Sequence, residues 1–108
     1  MIALIHFSSV KDDFETRAQA ALAALAVRPG YLRGTLGRCT DDPTAWLLLT
    51  EWANVGSYRR ALGSYEVKLH ATVLLASALD VPSGFESLTD VSPGGALVAR
   101  VSDRDSKA

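Results

Sequence analysis

Five side chains in this sequence could do chemistry on a bound organic molecule: Trp52, Tyr58, Tyr65, His70 and His6. An indole stacks on flat rings, and a phenol hydroxyl fixes the position of a ligand oxygen. An imidazole is the side chain best suited to take a proton near neutral pH. Four of the five lie in one stretch, TAWLLLTEWANVGSYRRALGSYEVKLH, from Thr44 to His70. There an apolar run ends on Trp52, Asn54 opens a helix, Gly63 breaks it and Ser64 opens another. A large aromatic at a strand's end, beside polar groups on the next helices, is how a small α+β domain forms a pocket. Each residue also has a plain structural reading. Trp52 suits a core anchor. Tyr58 and Tyr65 suit a solvated rim, and Arg59 and Arg60 suit a solvated helix face. His6 lies among apolar residues and is either a satisfied core histidine or a base within a pocket. His70 borders the apolar face of its helix.

Other chemistries find no motif. Two histidines 64 positions apart form no metal-ligand cluster, so no metal is expected. Gly30, Gly34 and Gly37 lie around a strand rather than before a helix, which excludes a phosphate-binding loop. There is no nucleophile elbow. Cys39 is the only cysteine, so no intrachain disulfide is expected, and Arg38 beside it is a lone cation without a thiolate motif, so no reactive thiolate is expected.

The 108 residues carry a net charge of −1, and the eight arginines are scattered. That composition gives no basic patch for nucleic acid. The N-terminal MIALIHF is short, lacks a basic flank and runs into Lys11-Asp12-Asp13, unlike a signal peptide. No apolar run approaches membrane-spanning length. The expected setting is cytoplasmic, with no membrane partner.

The elements that must position these residues follow from periodicity. Ile2 to Ser8 alternates with both faces largely apolar, which predicts a central strand. Asp12 and Asp13 suit the start of a helix whose apolar face is Phe14, Ala18, Ala21, Leu22, Leu25 and Ala26. Pro29-Gly30 ends it. Tyr31 to Thr40 and Ala45 to Trp52 form an antiparallel pair around the turn Asp41-Asp42-Pro43. In the second of these, Trp46, Leu48, Thr50 and Trp52 share one face. Helices follow from Asn54 to about Leu62 and over roughly 65 to 79, the latter with Val67, Ala71, Leu74, Leu75 and Ala78 inward. Phe85 to Asp90 is expected as a fourth strand. Ala96 to Val101, after Ser92-Pro93-Gly94-Gly95, is a β-compatible run without an obvious partner in a four-stranded sheet. Residues 1–101 then make one domain, and residues 102–108 a polar, disordered tail.

The order βαββααβ predicts an α+β fold, an antiparallel sheet with helices on one face. The other face, carrying Leu47 and Leu49 or their opposites, is apolar and needs covering. Two such sheets packed face to face make a homodimer, with Glu51 at the interface near Arg33 or Arg38. The Ala96–Val101 run can then cross to the partner and cover an open edge.

Pro29-Gly30-Tyr31-Leu32 at the entry to strand two, Thr50-Glu51-Trp52 before the helix and Leu62-Gly63-Ser64 at the helix break carry a family likeness. Over roughly residues 1 to 90 the chain resembles the antibiotic biosynthesis monooxygenase-like domains, which are ferredoxin-like and dimerise into a shared β-barrel. That resemblance implies a pocket for a flat aromatic or polyketide-like molecule. Some members oxygenate phenols or anthrones to quinones with no metal or flavin; others degrade haem, act on quorum-signalling products or have no known activity. The oxygenase reading needs a bound phenol, its deprotonation and a dry anion. Here it implies that Trp52 stacks on the rings, with Leu48 and Tyr65 as further substrate contacts. Tyr58 positions an oxygen, and His6 or His70 takes the proton, without a cofactor. Trp52 and Tyr58 match aromatic positions of the quinone-forming members, whereas a polar amide and a basic residue of theirs fall on Leu48 and Thr72. The haem-degrading members' ligand histidine, second tryptophan and asparagine fall on Ala71, Ala61 and His6 or Phe7. A non-catalytic dimeric ligand-binding or interaction module is the alternative from another class, and Leu48 favours it.

Overall fold

Strand β1, Ile2–Ser8, alternates half-buried Ile2, Leu4 and His6 with buried Ala3, Ile5 and Phe7. That period of two marks a strand with a core face and a second, less covered face. The computed structural model describes residues 1–102. After β1 come α1 (Phe14–Ala26), β2 (Tyr31–Arg38), β3 (Ala45–Trp52), α2 (Val55–Leu62), α3 (Tyr65–Ala76) and β4 (Gly84–Phe85). A hairpin of β5 (Thr89–Val91) and β6 (Leu97–Ala99) follows. The main sheet is antiparallel throughout, in the order β2-β3-β1-β4. The fold is therefore α+β and ferredoxin-like, as the sequence implied.

The core forms where the sheet meets α1 and α3. Trp46, Leu48, Thr50 and Trp52 of β3 are all buried, beside Ile5 and Phe7 of β1. The helices contribute Phe14, Ala18, Ala21 and Leu25 from α1, and Val67, Ala71 and Leu74 from α3. Alanines at the α1 contact let the helix lie close to its neighbours, and Phe7, Phe14 and Trp46 fill the space at one end as a tilted aromatic row. The other sheet face carries Leu4, His6, Leu47, Leu49 and Glu51, none of which belongs to that core. Cross-strand pairing there sets Leu4 against Leu49 and His6 against Leu47. Arg33 and Glu51 form an ion pair on this face at 2.5 Å, the partnership anticipated for Glu51.

Three boundaries differ from the periodicity. Strand β2 stops at Arg38 and α3 at Ala76. The fourth strand is two residues long, because it runs antiparallel to β1 with Phe85 opposite Ile2. Beyond Phe85 the β1 strand has ended and no ladder remains to extend. Thr89–Val91 instead pairs with Leu97–Ala99 around the Ser92–Gly95 turn, so the expected extra strand has its partner within the chain. That turn holds Gly94 and Gly95 at φ +93° and +94°, which glycine adopts without a Cβ clash. The polar tail expected over 102–108 falls, apart from Ser102, outside the described residues. No helix among the described residues is long and apolar enough to cross a membrane.

Candidate functional site

Trp52 is the last residue of β3, and the chain turns into α2 immediately after it. Ala53 N–H donates to the Gly30 carbonyl at 2.8 Å, tying the strand's exit to the entry of β2. The Asn54 side chain accepts from Ser57 N–H at 2.8 Å and from Ser57 Oγ at 2.9 Å, capping the helix. This tight exit sets Tyr58 one turn into α2, against the indole. The Tyr58 and Trp52 ring centroids are 5.5 Å apart at 51°, and Tyr31 also meets Trp52, edge-on at 5.4 Å. The indole N–H is satisfied internally by Thr50 Oγ1 at 2.8 Å. Trp52 is thus packed against two tyrosines and buried, at 1% exposure.

Tyr58 faces a different environment. It lines a cavity of about 360 Å³ between α2 and β4. Val55, Leu62, Phe85 and Met1 give that cavity apolar walls, while Arg59, Ser83 and Glu86 supply polar groups. Burial pushes the Tyr58 phenol above its ordinary value, so it stays a neutral hydrogen-bond donor throughout the neutral range. Mostly apolar walls with a few convergent polar groups are what a small-molecule site requires. A second cleft, about 460 Å³, lies at the far end of the sheet beside Trp46, where Arg38 covers the indole at 4.1 Å. Its lining is largely polar, with Lys11, Asp12, Glu15 and Arg38 among it.

The six residues singled out from the sequence are dispersed. Trp52 and Tyr58 are in contact, and Leu48 belongs to the same core, almost wholly buried opposite Ile5 and Leu36. His6 is on the other face of the sheet from Trp52, cross-strand from Leu47. Tyr65 opens α3 and is 74% exposed. His70 is half-exposed on α3, with Nε2 3.7 Å from Glu66 Oε2, in a groove against Ala20, Ala23 and Ala24 of α1. Neither histidine lines the Tyr58 cavity. Arg59, Phe85 and Glu86, which do, were not singled out from the sequence. Arg59 reads there as a solvated helix charge. Phe85 and Glu86 reach the cavity only because β4 returns to pair with the start of β1. The positions of the haem-degrading members' ligand and tryptophan, Ala71 and Ala61, are both buried in the core. Among the described residues no three His, Cys, Asp or Glu side chains converge as a metal site would require.

The sequence matches the antibiotic biosynthesis monooxygenase family over residues 1–72, from β1 into α3. This chain belongs to that family. The family match stops before β4, so the Ser83–Glu86 wall of the cavity lies beyond it. Among solved structures it is similar to SnoaB, a cofactor-independent oxygenase from Streptomyces nogalater, at 28% identity and a TM-score of 0.65. That likeness covers 72% of this chain and 82% of SnoaB. PA3566 from Pseudomonas aeruginosa shares the fold at 12% identity and a TM-score of 0.60, covering 94% of this chain and 93% of its own. A conserved protein from Methanosarcina mazei Go1 shares it at 20% identity and a TM-score of 0.60, covering 77% and 85%. No curated protein matches the chain.

Proposed function

We propose that this member of the antibiotic biosynthesis monooxygenase family binds a small aromatic, polyketide-like molecule in the cavity between α2 and β4. We further propose that it oxygenates this molecule without a cofactor. The observation that carries the reading is Tyr58. Its ring is backed by Trp52, its phenol is held neutral by burial, and it lines the cavity with Phe85 and Leu62. The similarity to SnoaB, a cofactor-independent oxygenase, supports the reaction class.

In this mechanism Tyr58 donates a hydrogen bond to a phenol or anthrone oxygen, and the apolar walls exclude water from the rings. Proton removal falls to Glu86, the carboxylate that lines the cavity, since His6 and His70 lie elsewhere. The carbanion or phenolate reduces dioxygen and combines with it at carbon, giving a hydroperoxide. Loss of water from the hydroperoxide leaves the quinone. One oxygen atom enters the product, and the other leaves as water with two hydrogens of the substrate, both from the methylene of an anthrone, or the ring C–H and the O–H hydrogens of a phenol. Trp52 acts here as the wall that orients Tyr58, because its own faces are covered.

A homodimer formed through the face carrying Leu4, Leu47 and Leu49 is part of the proposal, supported by the apolar character of that face. So is a cytoplasmic setting, which the exposed free thiol of Cys39 suits. The second reading is a non-catalytic ligand-binding module. Leu48, buried and apolar where the quinone-forming members place an amide, favours it.

The test is dissolved-oxygen uptake by metal-free protein with a panel of anthrones and dihydroxynaphthalenes, read beside quinone absorbance. Protein-dependent uptake that falls at least tenfold in Tyr58→Phe supports the oxygenase. Saturable binding of the panel with no uptake above the protein-free rate would decide for the non-catalytic module.

A further inference from the structure

We infer that the ligand of the α2/β4 cavity is an aromatic acid whose carboxylate sits on Arg59. This rests on the cavity being the binding site, and it adds the chemical class of what enters. The last turn of α2 carries two arginines, Arg59 and Arg60. They are placed differently. Arg60 turns back along its own helix, with Nη2 at 3.5 Å from Ser57 Oγ and the guanidinium beside Gly56. Arg59 lines the cavity.

Three other arginines have carboxylates to meet. Arg33 pairs with Glu51, Arg38 with Glu15 and Arg100 with Asp90. Arg59, like Lys11, Arg17, Arg28 and Lys68, has no such pair among the described residues, but unlike them it borders the mostly apolar α2/β4 cavity. A guanidinium at the mouth of an apolar slot is a recognition element for a planar anion. It offers a fork of N–H donors to two oxygens while the rings slide between the apolar walls. Glu86 lies on the same rim, with Oε2 accepting from Ser102 Oγ at 2.7 Å. At about 360 Å³ the cavity is near the lower end of small-molecule sites, which suits two or three fused rings.

The test titrates the full chain with two probes on the same ring system, 1-naphthoic acid and 1-naphthylmethanol, by calorimetry at pH 7.5 and low salt. The acid is expected to bind about tenfold more tightly than the alcohol, one charge-assisted contact's worth. Arg59→Gln removes that preference by weakening the acid alone, and Arg60→Gln keeps it. Added salt narrows the preference in the wild type. Equal binding of the two probes, or a preference that survives Arg59→Gln, overturns the inference and leaves the cavity standing. Binding of neither probe overturns the inference and the cavity reading together. Circular dichroism of each variant confirms that α2 remains folded.

Discussion

Trp52 shows how a residue's type can be legible while its accessibility is not. Its place at the end of a strand, just before a helix, follows from the apolar alternation of β3 and the cap at Asn54. Its burial depends on Tyr31, which arrives from β2, and on Tyr58, which depends on the exit angle of the chain. Neither relation has a local signature. An indole so enclosed is a structural element first. Trp52→Ala is expected to cost about 3–5 kcal/mol of stability in urea unfolding, the range for deleting a large buried aromatic. Tyr58→Phe is expected to change stability by less than about 1 kcal/mol, since only a hydroxyl at a cavity wall is removed. The Tyr58 phenol adds a pH signature. Its proton is held more tightly in the folded state than in the unfolded chain, whose value is near 10.0. Its contribution is therefore complete below pH 10 and declines as pH rises through the higher folded value. Tm measured from pH 8 to 11.5 should fall more steeply in the wild type than in Tyr58→Phe. Parallel curves would show that the phenol is not buried in solution.

The elements are legible in the sequence wherever a local signal sets them. Asn54 and Ser64 were recognisable as helix caps, and both side chains accept from the backbone N–H three residues on, Ser57 and Val67 respectively. Replacing Asn54 by alanine is expected to cost about 1 kcal/mol. It should also weaken ligand binding, because the cap fixes the turn that presents Tyr58 and Arg59; Ser64→Ala should cost similar stability without the binding loss. Gly30 belongs to the same junction. It stands at φ +88°, and a Cβ there would lie 2.3 Å from Ser57 Oγ. Gly30→Ala should therefore exceed the cost of either cap change in urea unfolding, and it should do so by displacing the start of α2. The β4 boundary was not legible for a physical reason. Phe85–Asp90 has the composition of a strand, but its length is set by where β1 ends, a partner more than eighty residues away in sequence. The cavity inherits this difficulty, because Phe85 and Glu86 reach it only through that pairing.

At the scale of the molecule, the open question is what covers the sheet. The helices bury one face, and the opposite one presents Leu4, Leu47 and Leu49 around His6, with the Arg33–Glu51 pair at its margin. The hairpin adds exposed Val91, Leu97 and Val98 on strands that pair only with each other. Apolar surface of this extent on a small domain is stabilised by association, and a two-fold axis lets one patch serve both copies. Leu49 is the position that tests it most cleanly, because it pairs with Leu4 on one side and Thr35 on the other. A lysine there can extend its ammonium to water in a monomer, yet it would bring two buried charges together in a dimer. Light scattering behind size exclusion should give twice the chain mass for the wild type and the single-chain mass for Leu49→Lys, with unchanged circular dichroism. A wild type that stays at single-chain mass at about 100 µM would mean that the face is not a self-association surface. In that case the half-burial of Leu4 and Leu49 by their cross-strand neighbours is all the cover this face needs.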